Sequence, residues 1–460
     1  MSSDTGRPSA ALDKMREAGQ TDAAIRAFSS ALRRVSGGAE TLIPSAELEP
    51  ARGVPALAEL PEADPGEALE AVALIKLNGG LATSMGLNQP KSLVEARDGK
   101  SFLEIIVAQT LALRRRHGVR LPLVLMDSQA TREATLDALA RYPEVEVNGI
   151  PLSFLQSMVP KLDAETLEPV SWPDNPALEW NPPGHGDVYA ALRGSEMLTT
   201  LRRHGVRYVM ISNADNLGST VDGRIAAHMA ERRIPFLMEV VQGTEADRKG
   251  GHIARRRRDG QLVLRETAQT PEDDQESFRD YRRWRYYNTN SLWVDLEALQ
   301  DKLSSDDGLE LPPIVNRKTV DPRDPASPPV LQLESAMGAA IASFPEASLL
   351  LVPRTRFAPV KTTDDLLVLR SDVYTLDRDS RVLPVPERAE DLPYVELDSR
   401  YYKLLDEFER RLPEGPPSLR EAERLVVHGD VTFGRGVIVR GSVELEVEAA
   451  ERLEDGTVLG

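Results

Sequence analysis

Residues 71–86 read AVALIKLNGGLATSMG, an apolar run that ends in a pair of glycines. The apolar part, residues 71–77, has the length and composition of a buried strand. Gly79 and Gly80 follow directly, and glycines at this point let the backbone approach a ligand closely and present N–H groups to phosphates. The spacing matches neither the P-loop nor the G-x-G-x-x-G dinucleotide fingerprint. The stretch predicts a strand followed by a phosphate-binding loop of another kind, with a simple tight turn as the alternative.

Further apolar runs follow along the chain, and amphipathic helical stretches separate them. These runs cover residues 121–126, 152–155, 206–211, 234–241 and 349–352. Short apolar strands alternating with helices are typical of an α/β domain with a largely parallel sheet. Ligands of such sheets bind beyond the carboxyl ends of the strands. We therefore expect the functional residues at those strand ends, in a catalytic domain that spans residues 69–365.

The two ends of the chain differ from this middle part. Residues 1–68 contain apolar residues at helical spacing over 10–35 and a segment rich in Pro, Glu and Ala, which predicts a helical region and a wrapping segment or linker. A separate C-terminal domain is expected over residues 366–460. From about residue 425 it carries a six-residue apolar period with glycines between the apolar positions, formed by Leu425, Val431, Val437, Val443 and Ala449. This period predicts a short hexapeptide β-helix that caps or pairs subunits, and a β-hairpin is the alternative.

The composition of the 460 residues, 41% hydrophobic and 28% charged, is that of an ordinary globular protein. The chain has no cysteine, which excludes a disulfide scaffold and a thiolate metal site. A net charge of -17 argues against a general nucleic-acid binder, because phosphate contacts need clustered Lys and Arg. The four arginines at 255–258 are an exception, but the turn signal Asp259-Gly260 follows them and predicts a solvated hairpin edge.

The expected location follows from what the sequence lacks. No apolar run approaches the roughly 20 residues that span a bilayer. The first residues, MSSDTGRPSAALDKMREAGQ, do not show the basic start and apolar stretch of a signal peptide. We therefore expect a cytoplasmic protein without a membrane partner.

Two charged residues at predicted strand ends suit phosphate chemistry. Lys91 follows Pro90 shortly after the glycine pair, where a lysine can neutralise phosphate charge; a solvated surface lysine is the alternative. Asp215 comes directly after the run 206–211 and is flanked by Asn213 and Asn216. Magnesium takes oxygen ligands and typically binds one or two carboxylates plus substrate phosphates, so Asp215 is a candidate ligand. An Asp-Asn turn or a helix cap would explain the same residues.

Three other segments carry polar residues in unusual surroundings. Residues 182–187 (PPGHGD) form a stiff loop that presents His185 and Asp187, although Asp187 could instead cap the next helix. Residues 286–293 (YYNTNSLW) place two amides in a strand-like aromatic run, where they could bond sugar hydroxyls or the backbone. Lys361 is a second lysine that follows an apolar segment containing a proline.

Together these segments resemble the eukaryotic-type UTP–glucose-1-phosphate uridylyltransferase family. The resemblance extends over nearly the whole chain and is carried, in order, by 76–86 (KLNGGLATSMG), 90–93 (PKSL), 122–126 (PLVLM), 182–187 (PPGHGD), 215–222 (DNLGSTVD), 249–251 (KGG), 288–293 (NTNSLW), 332–341 (QLESAMGAAI), 352–364 (VPRTRFAPVKTTD) and 429–434 (GDVTFG). Ordered matches of this number are far more specific than any one loop. Ala82 departs from the usual glycine of the family, and residues 87–89 replace a Cys-Lys-Gly stretch.

The resemblance implies a fold and a reaction. The fold would be a Rossmann-like nucleotidyltransferase core with a mixed sheet and a short C-terminal left-handed β-helix. The reaction would transfer the uridylyl group of UTP to glucose-1-phosphate and release pyrophosphate, with Mg²⁺ as the cofactor. The partners would be these two small molecules. The sequence does not give the oligomeric state, although the exposed ends of a short β-helix could pair subunits into a homo-oligomer.

The resemblance also implies a role for individual residues. UTP would be bound by Leu77, Asn78, Gly79, Gly80, Lys91, Gln156, Gly184, Asp215 and Lys361. The sugar phosphate would be bound by Gly80, His185, Asn213, Glu266 and Asn290. Lys91 and Lys361 would be the catalytic lysines, and Asp215 would hold the metal.

Two other functions compete with this one. A relative could act on N-acetylglucosamine phosphate, but residues 83–86 read TSMG where relatives that act on N-acetylated sugars tend to have Thr-Arg-Leu-Gly. A pyrophosphorylase of broad sugar specificity matches the sequence less well. A non-catalytic nucleotide-sugar binding protein could share the fold, since a fold alone does not secure activity. Both lysines, Asp215 and Gln156 are present, which favours an enzyme.

Overall fold

The computed structural model describes residues 7–37, 42–61, 65–305, 308–389 and 391–460. Residues 1–6, 38–41 and 62–64 of the predicted N-terminal region lie outside the described residues.

Most of the described strands are short, and most of them pair with partners distant in sequence. They are β1 (Leu48–Pro50), β2 (Val72–Asn78), β3 (Glu95–Arg97), β4 (Lys100–Ser101), β5 (Leu123–Asp127), β6 (Ser153–Leu155), β7 (Val159–Pro160), β8 (Leu162–Asp163), β9 (Trp180–Asn181), β10 (Tyr208–Asn213), β11 (Phe236–Gln242), β12 (His252–Arg256), β13 (Leu262–Arg265), β14 (Tyr286–Asp295), β15 (Ile314–Thr319), β16 (Pro329–Glu334), β17 (Ser348–Leu351), β18 (Tyr374–Leu376), β19 (Val382–Pro384), β20 (Tyr394–Leu397), β21 (Ser418–His428), β22 (Val431–Thr432), β23 (Ile438–Glu446), β24 (Glu451–Arg452) and β25 (Val458–Leu459).

The described α-helices lie mainly between the strands of the middle part. They are α1 (Arg7–Glu17), α2 (Asp22–Ser36), α3 (Pro65–Glu70), α4 (Phe102–His117), α5 (Arg132–Leu139), α6 (Val188–Gly194), α7 (Met197–Arg203), α8 (Gly223–Arg232), α9 (Gln275–Phe278), α10 (Leu296–Ser304), α11 (Thr363–Arg370), α12 (Ser399–Tyr402) and α13 (Leu405–Arg410).

A large mixed sheet forms the centre of the molecule. Its main path runs β1-β12-β14-β10-β2-β5-β6, with β11 paired to β14, β17 to β11 and β13 to β12. The pairs β10–β2, β2–β5 and β5–β6 are parallel, whereas β14 is antiparallel to β10, β11 and β12. The apolar runs expected to be strands are β2, β5, β6, β10, β11 and β17, so this prediction is confirmed. The sheet is mixed because β14, β13 and β1 run against the parallel group, whereas β12 runs with it.

The sequence of the central elements explains why they form where they do. Strand β2 is buried at every position except the half-buried Leu77, as expected for a strand covered on both faces. Helix α4 begins at a capping box, in which the Ser101 hydroxyl accepts from the Glu104 N–H and the Glu104 carboxylate accepts in return. It ends at Gly118, whose φ of 66° is the left-handed conformation that favours glycine. These signals determine where α4 begins and ends, and its buried residues, among them Ile105 and Ile106, join the apolar core with β2 and β5.

The N-terminal region forms two helices where a helical pattern was expected. Gly19, with a φ of 70°, separates α1 from α2. The Thr21 hydroxyl then accepts from the Ala24 N–H at 3.2 Å and starts the second helix. Apolar side chains of both helices, including Met15 and Phe28, pack with Leu331 and Leu333 of β16. The helical pair therefore packs against β16 in the middle part of the chain.

The C-terminal part contains parallel strands. Strands β20, β21, β23 and β25 form one sheet in that order, and every neighbouring pair is parallel. Leu425 lies opposite Val443 in the register of β21 and β23. The β-hairpin alternative is wrong, because consecutive strands of a hairpin are antiparallel. The left-handed β-helix itself stays a prediction.

The arginine run lies on a hairpin, as expected. Strands β12 and β13 are antiparallel, and Gly260 in the turn between them has a φ of 71°. The Arg256 guanidinium donates two hydrogen bonds to the Asp259 carboxylate. Within the described ranges, no helix combines the length and apolar character needed to cross a bilayer.

Candidate functional site

The predicted site residues meet at the carboxyl ends of the parallel strands. In the register of β10 and β2, Asn213 lies opposite Leu77. In the register of β2 and β5, Asn78 lies opposite Asp127, and β5 places Asp127 opposite Leu155 of β6. The glycine pair after β2, the Asp215 segment after β10 and Gln156 after β6 therefore leave the sheet at one edge.

The Gln156 side chain lies directly on the glycine loop. A Cβ atom added at Gly79 would be 2.4 Å from the Gln156 Oε1 atom, so any larger residue would push the Gln156 amide out of this position. A Cβ atom added at Gly80 would meet nothing within 4 Å. The Lys91 N–H donates to the Gly80 carbonyl at 3.1 Å and ties the lysine to the same loop. The loop thus keeps Gln156 on one side and leaves open space at Gly80.

The Asn78 side chain points into the protein. Its Nδ2 atom donates to the Asp127 carboxylate at 2.7 Å and to the Thr135 hydroxyl at 2.9 Å. The Ser153 hydroxyl donates to the other oxygen of the same carboxylate. Burial raises the pKa of Asp127, and the hydrogen bonds from Ser153 and Asn78 oppose this rise. Asn78 therefore holds the start of the glycine loop, and only its backbone faces the edge of the sheet.

Lys91 and Asp215 form an ion pair at this edge. The Lys91 Nζ atom lies 2.7 Å from Asp215 Oδ2, with both side chains about one-fifth exposed (20% and 19%). The second oxygen, Oδ1, is buried and accepts no hydrogen bond from any described residue. A buried carboxylate oxygen without a partner fits one ligand position of a magnesium ion, which uses one or two carboxylates and completes its shell with phosphates and water. Among the described residues, no cluster of three or more His, Cys, Asp or Glu side chains could hold a metal alone.

Lys361 lies beside the Asp215 segment. The Val360 N–H donates to the Asp215 carbonyl at 3.2 Å, and the Lys361 N–H donates to the Asp365 carboxylate at 2.7 Å. Lys361 itself is exposed. Burial raises the pKa of Glu266, and the positive charge of Lys361 opposes this rise, which places the two side chains in one electrostatic environment. The second predicted lysine is therefore next to both Asp215 and Glu266.

His185 is held as a neutral ring. Its Nδ1 atom accepts a hydrogen bond from the Met337 N–H at 3.0 Å, and burial lowers the pKa of the imidazole to about 4. A ring that accepts at Nδ1 and is neutral carries its proton on Nε2. Gly184 before it has a φ of 78° and packs against the backbone of Ser335, which leaves no space for a side chain. The ring is thus fixed in orientation and offers one N–H donor.

Asp187 does not cap the following helix. Its carboxylate accepts from the Ser157 N–H at 2.6 Å, and no side-chain capping bond is formed to α6. Burial raises the pKa of Asp187 to about 6. The contact links the loop of His185 to the residue that follows Gln156.

The two asparagines of β14 bond to each other. The Asn288 Nδ2 atom donates to Asn290 Oδ1 at 2.8 Å, and the Asn290 N–H donates to Asn288 Oδ1 at 2.9 Å. Asn290 has a φ of 54°, an uncommon conformation for a residue with a side chain. The Glu266 carboxylate lies against Gly251, where an added Cβ atom would be 2.6 Å from it. The structure therefore brings Glu266 and Asn290, two of the predicted sugar-phosphate residues, to the β14 side of the site.

Sequence reasoning did not identify three charged residues beneath the site. Lys76, Glu239 and Arg356 are at most 8% exposed, and each lies in or beside a strand of the central sheet. Burial lowers the pKa of Lys76 to about 7, although the negative charge of Asp215 opposes this change. The sequence could have indicated two of them, because Lys76 and Glu239 interrupt apolar strands in which a charge is unusual.

Comparisons with known proteins identify the family of the chain. The model of the family described as UTP--glucose-1-phosphate uridylyltransferase matches residues 27–440. The chain is 39% identical over 394 residues to a probable UTP--glucose-1-phosphate uridylyltransferase of Schizosaccharomyces pombe, covering 85% of this chain and 76% of that one. It is 38% identical to the enzyme of that name from Hordeum vulgare, over 85% of this chain and 81% of the relative.

Solved structures give the same result over the whole length. A UDP-glucose pyrophosphorylase variant from Leishmania major in complex with UDP-glucose superposes with a TM-score of 0.93 at 43% identity, covering 100% of this chain and 99% of that chain. A structure of the same enzyme from an open and closed pair has a TM-score of 0.93 at 44% identity, with coverages of 99% and 98%.

Proposed function

The chain belongs to the UTP–glucose-1-phosphate uridylyltransferase family, and we propose that it joins UTP to glucose-1-phosphate with Lys91, Lys361 and a magnesium ion on Asp215. The observation that carries the assignment of residues is the meeting of Lys91, Asp215 and the Lys361 segment at one sheet edge. These groups come from three distant parts of the chain, and the resemblance had assigned each to phosphate or metal.

The reaction needs little covalent help from the protein. An oxygen of the glucose-1-phosphate phosphate attacks the α-phosphorus of UTP in line. The new P–O bond gives UDP-glucose, and the bond from the α-phosphorus to the bridging oxygen of the β-phosphate breaks to release pyrophosphate. Both reactants are polyanions, so the main tasks are alignment and neutralisation of charge.

The two lysines would carry out most of that neutralisation. The Lys91 N–H donates to the Gly80 carbonyl of the glycine loop, so the ammonium of Lys91 would lie within reach of the phosphates of UTP. Lys361 is exposed beside the Asp215 segment, where it can contact the α-phosphate and the leaving pyrophosphate. When bound at Asp215, magnesium would supply further positive charge to the phosphates.

UTP would lie over the end of β2. Gln156 presents an amide beside Gly79, and an amide can both donate to and accept from the edge of a uracil. The backbone of Leu77, Asn78 and Gly80 would border the nucleotide, and Gly184 would border the base from the opposite loop.

The sugar phosphate would lie on the β14 side, against Gly80, His185, Asn213, Glu266 and Asn290. His185 would donate its Nε2 proton to the phosphate, because its Nδ1 atom is already occupied. A neutral imidazole with a pKa of about 4 suits a positioning role. The attacking phosphate is already ionised near neutral pH and requires no general base.

Three broader features belong to the same proposal. Residues 69–365 would form the Rossmann-like catalytic domain, between an N-terminal region at 1–68 and a C-terminal domain at 366–460. Parallel pairing of β20, β21, β23 and β25 supports a left-handed β-helix. Pairing of subunits through that domain and a cytoplasmic location stay predictions of the sequence.

The experiment is pyrophosphate release by the purified protein with magnesium and UTP. Glucose-1-phosphate, N-acetylglucosamine-1-phosphate and galactose-1-phosphate would be compared at equal concentrations. We expect rapid release with glucose-1-phosphate. Preference for another sugar would overturn the roles of Asn290 and His185, and no release from protein that still binds UTP would overturn the catalytic assignment.

A further inference from the structure

A buried ion pair lies beneath the candidate site and outside the residues assigned to it. Glu239 of β11 is 0% exposed, and its two carboxylate oxygens accept from Nε and Nη2 of Arg356, each at 2.7 Å. The Trp293 indole N–H donates to the same carboxylate at 2.9 Å. This two-point geometry with an additional donor is the arrangement that makes a buried pair tolerable.

Arg356 connects this pair to the segment that carries Asp215. We call residues 213–221 the aspartate loop and residues 353–362 the lysine loop. The Nη2 atom of Arg356 also donates to the Thr220 carbonyl at 2.7 Å, so the guanidinium binds β11 and the aspartate loop together. The fully buried Lys76 of β2 also binds the aspartate loop, because its ammonium donates to the Ser219 carbonyl at 2.9 Å.

Hydrogen bonds of one side chain and of the backbone also connect the two loops directly. The Asn216 side chain donates to the Arg356 carbonyl at 3.2 Å and accepts from the Ala358 N–H at 3.0 Å. The Val360 N–H donates to the Asp215 carbonyl at 3.2 Å. These bonds connect the loops from Arg356 as far as the residue before Lys361.

Gly218 shows how closely the loops approach. A Cβ atom added there would lie 2.5 Å from the Thr355 carbonyl oxygen and 3.0 Å from the Arg356 carbonyl carbon. Both obstacles are backbone atoms, which cannot rotate away. The loops can therefore keep this separation only with glycine at position 218.

We propose that the Arg356–Glu239 pair anchors the two loops to each other, so that both residues are positioning residues for the uridylyl transfer. The inference rests on the proposed roles of Asp215 and Lys361. Stability alone is a weak reason for such a pair, because well-packed apolar residues often replace buried ion pairs without loss of stability. Position is the stronger reason, since a shift of about 1 Å at a reacting group can cost about 10²-fold in rate.

The test is the substitution Gly218→Ala, whose added methyl group acts as a wedge between the two loops. It is combined with Lys361→Ala in a double-mutant cycle. We expect Gly218→Ala to lower kcat about 10- to 100-fold and to change the KM for UTP less than about twofold. If Gly218→Ala acts by displacing Lys361, it will lower kcat by less than about a further twofold in a protein that already carries Lys361→Ala. A wild-type kcat for Gly218→Ala would overturn the proposal that the loops must be anchored to each other. Two reductions in kcat that multiply in the double variant would overturn it as well.

Gly37→Ala is the matched control, because it makes the same chemical change against a carbonyl oxygen 3.0 Å away, at the end of α2. It should keep the wild-type kcat. The Lys361→Ala single variant separates the two proposals. A normal rate in that variant would overturn the role of Lys361 itself, whereas a slow Lys361→Ala with a normal Gly218→Ala would overturn only the anchor.

A second variant covers the case in which the wedge prevents folding. The double substitution Glu239→Leu with Arg356→Met removes both charges and keeps most of the volume, a change that buried pairs often tolerate. We expect a folded protein with kcat lowered at least about tenfold and a nearly unchanged KM for UTP. A wild-type kcat in this folded variant would show that the pair does not position the loops.

Discussion

The two halves of the candidate site are built from different interactions. On the side of β2, β5 and β6, Asn78 and Ser153 donate hydrogen bonds to the Asp127 carboxyl, and Asn78 donates a second one to the Thr135 hydroxyl, so these interactions come from uncharged groups. On the side of β10, β11 and β14, ion pairs dominate: Lys91 with Asp215, and Arg356 with Glu239. We call these the hydrogen-bond half and the charge half.

The difference corresponds to what each half is proposed to bind. A uracil is flat and neutral, so its recognition needs fixed donors and acceptors such as the Gln156 amide. Phosphates in transfer need concentrated positive charge that is already in place. Substitutions in the charge half should therefore lower kcat, and substitutions in the hydrogen-bond half should raise the KM for UTP. The predictions below test this division.

The largest effect is expected for Lys361→Ala. Loss of a charge that contacts the transferred group should lower kcat about 10³-fold. The melting temperature should stay nearly unchanged, because Lys361 is exposed and its removal leaves no cavity. Steady-state rates and a thermal melt of the same preparation measure both quantities. Lys100→Ala, at another exposed lysine, is the control; a folded Lys361→Ala with normal kcat would remove the lysine from the mechanism.

Asp215→Asn should have the next largest effect. The amide keeps the shape but loses the charge that binds magnesium and pairs with Lys91. We expect kcat to fall about 10²-fold and the magnesium concentration for half-maximal rate to rise. Titration of the rate with magnesium measures both. An unchanged magnesium dependence would mean that Asp215 is not the ligand, even if kcat falls.

Gln156→Leu tests the hydrogen-bond half. The side chains are similar in volume, so the contact with Gly79 is kept while the amide is lost. A lost hydrogen bond of about 1.4 kcal/mol should raise the KM for UTP about tenfold and leave kcat within a few fold. Initial rates at varied UTP and saturating glucose-1-phosphate give the answer. A drop in kcat at constant KM would break the division between the two halves.

Much of the fold could be predicted from the sequence, because its strands are short apolar runs with clear ends. The run at β2 and the run at β10 were expected to be strands, and their carboxyl ends meet as predicted. The antiparallel direction of β14 could not be predicted, since composition does not encode which way a strand runs. The N-terminal helices could be expected from their spacing, but the break at Gly19 was not.

For the candidate site, the sequence indicated individual residues but not the contacts between them. The resemblance assigned Lys91 and Asp215, but no local pattern shows that residues 124 positions apart form an ion pair. Asn78 lies in a strand buried on both faces, so alternation could not tell that its side chain points to Asp127. The pair of Glu239 and Arg356 was missed because the charge of Glu239 inside an apolar run gives no indication of which residue is its partner.

A smaller effect concerns stability and the charge half. Burial lowers the pKa of Lys76 from 10.5 to about 7. Between these values the unfolded chain holds a proton that the folded protein has released, so this residue makes stability rise with pH by at most about 1.4 kcal/mol per pH unit. In Lys76→Met that contribution should be absent. Urea unfolding of both proteins from pH 7 to 9 measures the difference, and parallel curves would contradict the prediction.

The smallest effect has the opposite sign and lies in the hydrogen-bond half. Burial raises the pKa of Asp187 from 3.8 to about 6, a narrower window than that of Lys76. Between these values the folded protein holds a proton that the unfolded chain has released, so this residue makes stability fall as pH rises, by at most about 1.4 kcal/mol per pH unit. Asp187→Asn keeps an oxygen to accept from the Ser157 N–H but does not titrate. Relative to wild type, the variant should therefore gain stability from pH 4 to pH 6 and none above about pH 7. Urea midpoints across that range would show it, and a difference that stays constant with pH would mean that Asp187 is ionised in the folded protein throughout.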